Sequence, residues 1–399
     1  MSRSSLAGVA ALALACTTLA GCSGDPASGD PQAGPSGSDQ EPTAEVAPLR
    51  VSTNLTGNDV AVDEMLKVRA SGGTLRQVAV TSEAGKLAGK LASDGSSWAA
   101  SGRLEPGQSY AVRTVAERSD GKRVVKTSTF GTDDLTLDEQ TYASVAPLDG
   151  ETVGVGMPVI VTFDVPVTDR ASMERHMTVE STPQQRGSWR WLSDTEAHWR
   201  PKSYWQAGTD VSVDLDINSV NAGGGIYGQE NREVDFSVGD AHVYKVDMDS
   251  HQMRVLSNGN LLRTIPITTG EEPAFTTRSG VKVIIEKFRE KRMNSETVGI
   301  GRDDPEYYNI SDVEYAMRVT YSGEFVHAAP WSVASQGSAN VSHGCTGMST
   351  ENAAFLYNMT LRGDVVEYTG TDRPMTLTNG YGDWNVDFAT WSEGSALKS

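Results

Sequence analysis

Short runs of alternating apolar and polar residues, separated by turn signals, fill most of the chain after residue 48 and constrain it to a mainly β fold. Because successive side chains of a strand point to opposite sides, one run places four residues on a single face: Tyr110, Val112, Thr114 and Ala116. Asp120-Gly121 tolerates the positive φ of a hairpin turn, and the return strand is expected over residues 124–130. Several such strands predict a β-sandwich over residues 48–138.

A second sandwich is predicted over residues 139–240, where the alternation recurs in Val159, Val161 and Phe163. Trp189 and Trp191 also share one face, and they are interpreted as core residues in preference to a platform for a sugar. His176 and His198 have no neighbours at metal-ligand spacing, so both are interpreted as structural.

The pattern changes after residue 241 but stays rich in strands. Asp249-Ser250-His251 and Asn258-Gly259 are predicted turns between strands. A short helix is expected after Ser349, a good N-cap, and it should end near Arg362-Gly363 before one more strand. These elements define a third predicted unit over residues 241–370.

Two further stretches carry weaker signals. Residues 286–318 are highly charged and are predicted to be irregular, either as a solvated face or as a lid over a cleft. Residues 371–399 form a C-terminal extension with two tryptophans, Trp384 and Trp391, and we expect it to pack on a neighbouring surface.

Composition excludes several classes of protein. The formal net charge is −18, with 34 Lys and Arg against 52 Asp and Glu, which argues against a nucleic-acid partner. After residue 21 no stretch approaches the ~20 apolar residues of a membrane helix. Three cysteines cannot build a disulfide-rich scaffold, so each needs its own explanation.

The N-terminus is typical of an exported protein. Arg3 precedes an apolar stretch over residues 6–15, and residues 1–21 are interpreted as a signal peptide. The following Leu19-Ala20-Gly21-Cys22 resembles a bacterial lipoprotein lipobox, which implies cleavage before Cys22 and a lipid on that residue. The alternative is an ordinary cleaved signal followed by a coincidental cysteine.

Residues 22–47 are interpreted as a flexible tether, because Ser, Gly, Asp and Pro dominate and too little apolar surface is available for a core. About 25 flexible residues reach roughly 25–30 Å. The expected location is therefore outside the cytoplasm, with the body facing the cell wall and a lipid anchor in the cell membrane.

The candidate catalytic residues are His327 and members of the segment Ser342-His343-Gly344-Cys345. A thiol reacts as thiolate, so a catalytic cysteine needs a base or a positive neighbour. If residues 341–345 form a strand, His343 and Cys345 share a face, and a strand over 324–327 would bring His327 within reach. Amides near Cys345 would then supply an oxyanion hole, and the site would suit acyl transfer.

Two other interpretations use the same residues. Cys345 could be a small buried hydrophobic residue, with both histidines satisfied in the core. Alternatively, His327, His343 and Cys345 could bind zinc, although no fourth ligand and no second cysteine lie nearby.

The pattern of His327, 14 intervening residues and Ser-His-Gly-Cys resembles the signature of L,D-transpeptidases of the YkuD family. The string from Phe325 to Val333 is similar to the mycobacterial type, as are Arg362-Gly363-Asp364 and Gly382-Asp383-Trp384-Asn385. The resemblance implies two immunoglobulin-like β-sandwiches, a β-rich YkuD-type catalytic domain with a short helix, and a C-terminal extension.

The resemblance also implies roles for single residues. Cys345 would be the nucleophile and His327 the general base, with the Ala328 carbonyl orienting the other imidazole nitrogen. Ser342 and His343 would line the donor site, and the amides of Gly344 and Cys345 would stabilise the oxyanion.

Two positions depart from the family pattern. The lid tyrosine falls at Tyr308 only with a one-residue insertion, so Tyr307 remains an alternative. Gly347 stands where the family often has Asn or Arg two residues after the cysteine, which removes side-chain contacts to the donor peptide.

The implied reaction joins two peptidoglycan stem peptides, a tetrapeptide donor and a diaminopimelate acceptor, by a 3→3 cross-link through a Cys345 thioester, with release of D-alanine. It would need no metal and no organic cofactor, and carbapenems would acylate the thiol. The alternatives are an L,D-carboxypeptidase that uses the same thioester and a non-catalytic wall-binding lipoprotein. The intact motif argues against the latter.

Overall fold

The computed structural model describes residues 47–397. The predicted signal peptide, Cys22 and all but the last residue of the tether lie outside the described residues. The described chain is mainly β, as predicted, because its alternating runs form strands that pair around three hydrophobic cores. No helix within this described range is long and apolar enough to cross a membrane.

The first sandwich consists of two four-stranded sheets, in the orders β1-β2-β6-β5 and β4-β3-β7-β8. Its strands are β1 Arg50–Thr53, β2 Lys67–Ser71, β3 Gly73–Ser82, β4 Gly85–Lys86, β5 Gly89–Leu91, β6 Ser97–Ala100, β7 Ser109–Arg118 and β8 Arg123–Gly131. The predicted face of β7 is buried at all four positions, and β7 and β8 form the predicted hairpin.

The second sandwich packs the sheets β10-β12-β15-β14 and β11-β19-β16-β13, with a small sheet β17-β18-β9 beside them. Its elements are β9 Gln140–Thr141, β10 Ala143–Ala146, β11 Thr152–Val153, β12 Val159–Phe163, α1 Arg170–Glu174, β13 Met177–Thr182, β14 Gly187–Trp191, β15 Glu196–Pro201, β16 Asp210–Leu215, β17 Asn221–Gly223, β18 Ile226–Gly228 and β19 Arg232–Val238. Trp189 and Trp191 are buried in its core, which confirms their interpretation as packing residues.

The third unit has a five-stranded sheet, β22-β21-β20-β28-β23, and a four-stranded sheet, β24-β25-β26-β27. Its elements are β20 His242–Asp247, β21 Gln252–Ser257, β22 Asn260–Pro266, β23 Gly280–Val283, β24 Glu286–Asn294, β25 Asn309–Arg318, β26 Phe325–Ala328, β27 Thr346–Met348, α2 Thr350–Met359 and β28 Val365–Thr369, and the C-terminal extension adds α3 Phe388–Ser392. Both predicted turns join paired strands, and the Ser349 side chain caps α2 by accepting from the Asn352 amide.

The expectation that residues 286–318 are irregular is wrong. Strands β24 and β25 pair along their length as an antiparallel hairpin, with the connecting loop between them. The alternation of these strands is not visible in the sequence because charged side chains with long apolar stems take the place of apolar residues. Arg289 Cζ lies 3.9 Å from the ring centroid of Tyr315, and Lys291 Nζ lies 4.3 Å from the ring centroid of Phe288.

Helix α2 also ends earlier than predicted, at Met359, with Thr360 as an extended C-cap. Gly363 instead makes the turn into β28 with a φ of +97°. A Cβ there would stand 2.6 Å from the Met157 side chain, so this glycine serves the close approach of the third unit to the second sandwich.

The C-terminal extension packs on the second sandwich, as expected. Trp391 is fully buried, and its indole donates to the Ser188 carbonyl. The Arg200 guanidinium lies 4.7 Å from the ring centroids of both Trp384 and Trp391. The Asn385 side chain also accepts from the Val281 amide on β23, so the extension contacts both the second sandwich and the unit that carries the motif.

Candidate active site

The two halves of the motif meet because β26 and β27 are neighbouring parallel strands. His327 on β26 lies opposite Gly347 on β27, and Cys345 directly precedes β27. The Ser349 cap and α2 follow immediately and hold the end of β27 in place. Sheet pairing thus brings together residues that are separated along the chain.

Residues 341–345 do not form the strand that the sequence suggested. Gly344 has a φ of +117°, and the Ser342 hydroxyl accepts from the Gly344 amide and donates to the Cys345 carbonyl. These bonds fold the segment into a tight turn. His343 and Cys345 therefore reach the same pocket through a turn and not through the alternation of a strand.

One cavity of about 340 Å³ collects most of the predicted site. It is lined by five of the residues singled out from the sequence: Tyr308, His327, Ser342, His343 and Cys345. Gly347 also lines it, together with apolar side chains that the sequence did not point to, among them Met293, Ile310 and Trp331. Met293 and Ile310 come from the charged hairpin, the predicted lid, which therefore forms one wall of the pocket.

His327 is buried and is fixed in one tautomer. Its Nδ1 lies 2.7 Å from the Ala328 carbonyl oxygen, which can only accept, so Nδ1 carries the proton and donates it. Nε2 keeps its lone pair. Burial lowers the pKa of His327, so the ring stays neutral near pH 7 and can take up a proton.

The Cys345 thiol rests against a different group. Its Sγ lies 3.7 Å from the Gly323 carbonyl oxygen, to which it donates. Burial raises the pKa of Cys345 to about 11. Within residues 47–397 no hydrogen bond joins this thiol to an imidazole, so proton transfer to His327 requires the thiol to leave Gly323. The predicted roles of Cys345 and His327 stay predictions.

The amide of Gly344 is occupied in this structure by the Ser342 hydroxyl, at 3.2 Å. A role for Gly344 in an oxyanion hole therefore requires that bond to open when a substrate carbonyl arrives. In the described part of the chain, no group of three or more His, Cys, Asp and Glu side chains is arranged to hold a metal ion.

The loop of the charged hairpin contacts His343 directly. Glu306 Oε2 lies 3.0 Å from His343 Nε2, and the Tyr308 ring centroid lies 4.9 Å from the imidazole. Burial raises the pKa of Tyr308 to about 12, so its hydroxyl stays protonated. Of the two candidate lid tyrosines, Tyr308 is the one that lines the pocket. Glu306 was missed because an exposed carboxylate carries no signal in the sequence.

Gly347 leaves no room for a side chain in the present backbone. A Cβ would stand 2.9 Å from the Cβ of Ala329 and 3.1 Å from Cγ2 of Thr268. Thr268 and Gly347 also exchange two backbone hydrogen bonds of 2.9 Å, which hold this approach. The departure from the family pattern is therefore built into the packing around the pocket.

Comparisons with known proteins identify the family of the chain. The family model of the YkuD L,D-transpeptidase catalytic domain matches residues 241–367, and that of a bacterial Ig domain matches residues 57–221. L,D-transpeptidase 2 of Mycobacterium tuberculosis (strain CDC 1551 / Oshkosh) is 33% identical over 339 residues, which are 84% of this chain and 82% of that protein. The chain belongs to the YkuD family of L,D-transpeptidases.

Two other L,D-transpeptidases are similar to this chain to a comparable degree. L,D-transpeptidase 5 of Mycobacterium tuberculosis (strain ATCC 25618 / H37Rv) is 34% identical, over 85% of this chain and 75% of that protein. A solved structure of the L,D-transpeptidase LdtMt1 in complex with imipenem is 38% identical and covers 57% of this chain and 98% of its own, with a TM-score of 0.50. These matches confirm that the chain is an L,D-transpeptidase with Ig-like and YkuD-type domains.

Proposed function

We propose that this L,D-transpeptidase cross-links peptidoglycan stem peptides through Cys345. The observation that supports it is the meeting of Cys345, a neutral His327 and a lid within one cavity. In the first step the thiol loses its proton to His327 Nε2, and the sulfur attacks the carbonyl of the third stem residue, meso-diaminopimelate. The amide bond to D-alanine breaks, and His327 returns the proton to the departing amine.

The second step transfers the acyl group. The side-chain amine of a second stem's diaminopimelate attacks the thioester, and its proton passes to His327 as the carbon–sulfur bond breaks. The product is a 3→3 cross-link, and the thiol is restored. Met293 and Ile310 of the lid line the cavity with apolar surface, which limits the access of water. This surface favours transfer to an amine over the hydrolysis that an L,D-carboxypeptidase performs.

Acylation by a carbapenem tests the nucleophile. The protein is incubated with imipenem, and the mass of each cysteine-containing peptide is measured. The adduct is expected on Cys345 and is absent from Cys345→Ala, whereas Cys22→Ala keeps it as the matched control. An adduct that persists in Cys345→Ala contradicts the assignment. Product analysis with and without an acceptor amine then separates cross-linking from hydrolysis.

We also propose that the protein is anchored to the outer face of the cell membrane by a lipid on Cys22, with its body facing the wall. The lipobox-like Leu19-Ala20-Gly21-Cys22 and the polar tether support this location. Labelling of cells with radioactive palmitate should mark the wild-type protein and not Cys22→Ala, which should leave the membrane fraction. Palmitate incorporation that survives in Cys22→Ala contradicts the anchor.

A further inference from the structure

A fully buried lysine lies in the catalytic domain outside the motif. Lys282 on β23 is 0% exposed, and its Nζ lies 2.6 Å from Glu324 Oε2. The same ammonium stands 3.7 Å from the ring centroid of Tyr368. Burying an ammonium group is costly even when it is paired, so its presence here calls for a physical explanation.

Glu324 is shared between two cations. Arg278 Nη1 lies 2.9 Å from Glu324 Oε1, and the Arg278 amide also donates to that oxygen. The Lys282 ammonium donates to the other oxygen, Oε2. One carboxylate therefore faces two positive side chains, and this ion cluster keeps one positive charge in excess.

The ion cluster adjoins the segment that holds the thiol. Glu324 directly follows Gly323, whose carbonyl accepts from Cys345 Sγ. Tyr368, which lies under the Lys282 ammonium, shares a 2.8 Å hydrogen bond with Thr346, the residue after Cys345. The ion cluster with its excess positive charge thus lies next to the residues that hold Cys345.

We propose that Lys282 is a positioning residue whose buried positive charge, left over in the cluster with Arg278 and Glu324, stabilises the thiolate of Cys345. The inference rests on the proposed function, in which Cys345 must ionise. Lys282 neither gains nor loses a proton in this role: the thiol proton passes to His327, and the sulfur anion becomes the second anion of the cluster.

The direction of the Lys282 effect agrees with this role. Burial raises the pKa of Cys345 and the Glu324 carboxylate raises it further, whereas the Lys282 ammonium lowers it. Burial lowers the pKa of Lys282 to about 8 in spite of Glu324, so the ammonium keeps its charge near neutral pH. Further charged and titratable groups that act on or stand beside the thiol are Arg318, Tyr308, Tyr368, His327 and His343.

The test is the rate of Cys345 alkylation by iodoacetamide between pH 6 and pH 9, followed by mass spectrometry of the Cys345 peptide in the full chain. Lys282→Met should slow alkylation roughly tenfold at pH 7, which corresponds to a rise of about one unit in the pKa of Cys345, the lower end of the effect of a nearby opposite charge. The difference from wild type should shrink as the pH rises through 8, where Lys282 loses its charge. Lys245→Met, which removes a half-exposed lysine paired with Glu367, is the control and should leave the rate unchanged.

A second variant separates charge from structure. Lys282→Met combined with Glu324→Gln removes one charge of each sign, so the alkylation rate at pH 7 should return to the wild-type value or above it. A purely structural role predicts that the double variant is at least as impaired as the single one. If Lys282→Met does not fold, Lys282→Gln, which keeps a hydrogen-bond donor for Glu324, carries the same expectation.

An unchanged alkylation rate at pH 7 in a folded neutral variant, or a double variant without recovery, overturns the inference. Failure of the proposed function is a different result, because wild-type Cys345 would then form no adduct with imipenem. A wild-type protein that is acylated, with variants whose alkylation rates match it, refutes only the role of Lys282.

Discussion

Two buried histidines of this protein show opposite electrostatics. In the second sandwich, His198 Nδ1 lies 2.7 Å from Asp383 Oδ1, and its Nε2 lies 3.1 Å from Glu196 Oε1. Burial lowers its pKa, but the two carboxylates outweigh that effect and raise it to about 9. His327 is also buried and, among residues 47–397, its imidazole bonds only to a backbone carbonyl, so burial prevails and its pKa is lowered.

The comparison distinguishes a charged imidazole from a neutral one that is able to take up a proton. His198 is a permanent cation near neutral pH, and it ties the second sandwich to the C-terminal extension. His327 is neutral and has one free nitrogen, as a general base requires. The two carboxylates beside His198 and the backbone carbonyl beside His327 account for the difference in protonation.

The largest expected effect is on His327. His327→Ala should slow acylation of Cys345 by about 10²–10⁴, the usual contribution of a general base. The measurement is the single-turnover rate of imipenem acylation across pH. His251→Ala, which removes a half-buried imidazole bonded to Asn340, is the control and should keep the wild-type rate. A pH–rate profile unchanged by His327→Ala contradicts the role.

Removal of the partner of His198 should affect stability and not chemistry. Asp383→Asn leaves a buried cation without its closest counter-ion and is expected to cost about 3 kcal/mol of the free energy of unfolding. Denaturant unfolding measures this loss, and the exposed Asp372→Asn should cost nothing measurable. The rate of Cys345 alkylation in the folded fraction should match wild type. A large change in that rate would show that the His198 pair also acts on the active site.

The same pair predicts a pH dependence of stability. The folded-state pKa of His198, about 9, lies above its ordinary value of 6.5, so its stabilisation is complete below about pH 6.5 and is lost as the pH rises through 9. The expected loss is up to about 3 kcal/mol. Denaturant unfolding between pH 6 and pH 10 measures it. In Asp383→Asn the free energy of unfolding should depend less on pH. If the variant keeps the wild-type pH dependence, that dependence comes from another group.

The smallest effect is expected at the lid. Glu306 and His343 form a pair whose carboxylate is about half exposed, and such pairs contribute roughly 0–1 kcal/mol. Glu306→Gln should therefore lower kcat/KM for acylation by no more than about fivefold and leave the melting temperature unchanged. Glu296→Gln, on the same loop but paired with Arg302, is the control. A loss of 100-fold would mean that Glu306 takes part in the chemistry.

Local sequence signals predicted the parts of the fold that depend on neighbouring residues. The β7 face, the hairpin turns and the Ser349 cap follow from alternation, turn chemistry and capping preference, and all three are confirmed. The hairpin over residues 286–318 was missed because charged side chains with long apolar stems carry no alternation. The turn at Gly344 was missed because one φ angle and the bonds of one hydroxyl decide it.

The sequence by itself determined that the chain is mainly β, that it carries the L,D-transpeptidase motif, and which thiol and imidazole belong to that motif. Tertiary structure alone decided the environment of each group. A carbonyl accepts from His327, carboxylates pair with His198, and the buried Lys282 lies near the thiol. The physical reason is that a pKa depends on burial and on charges within a few ångströms. Those neighbours come from strands and loops far away in the chain.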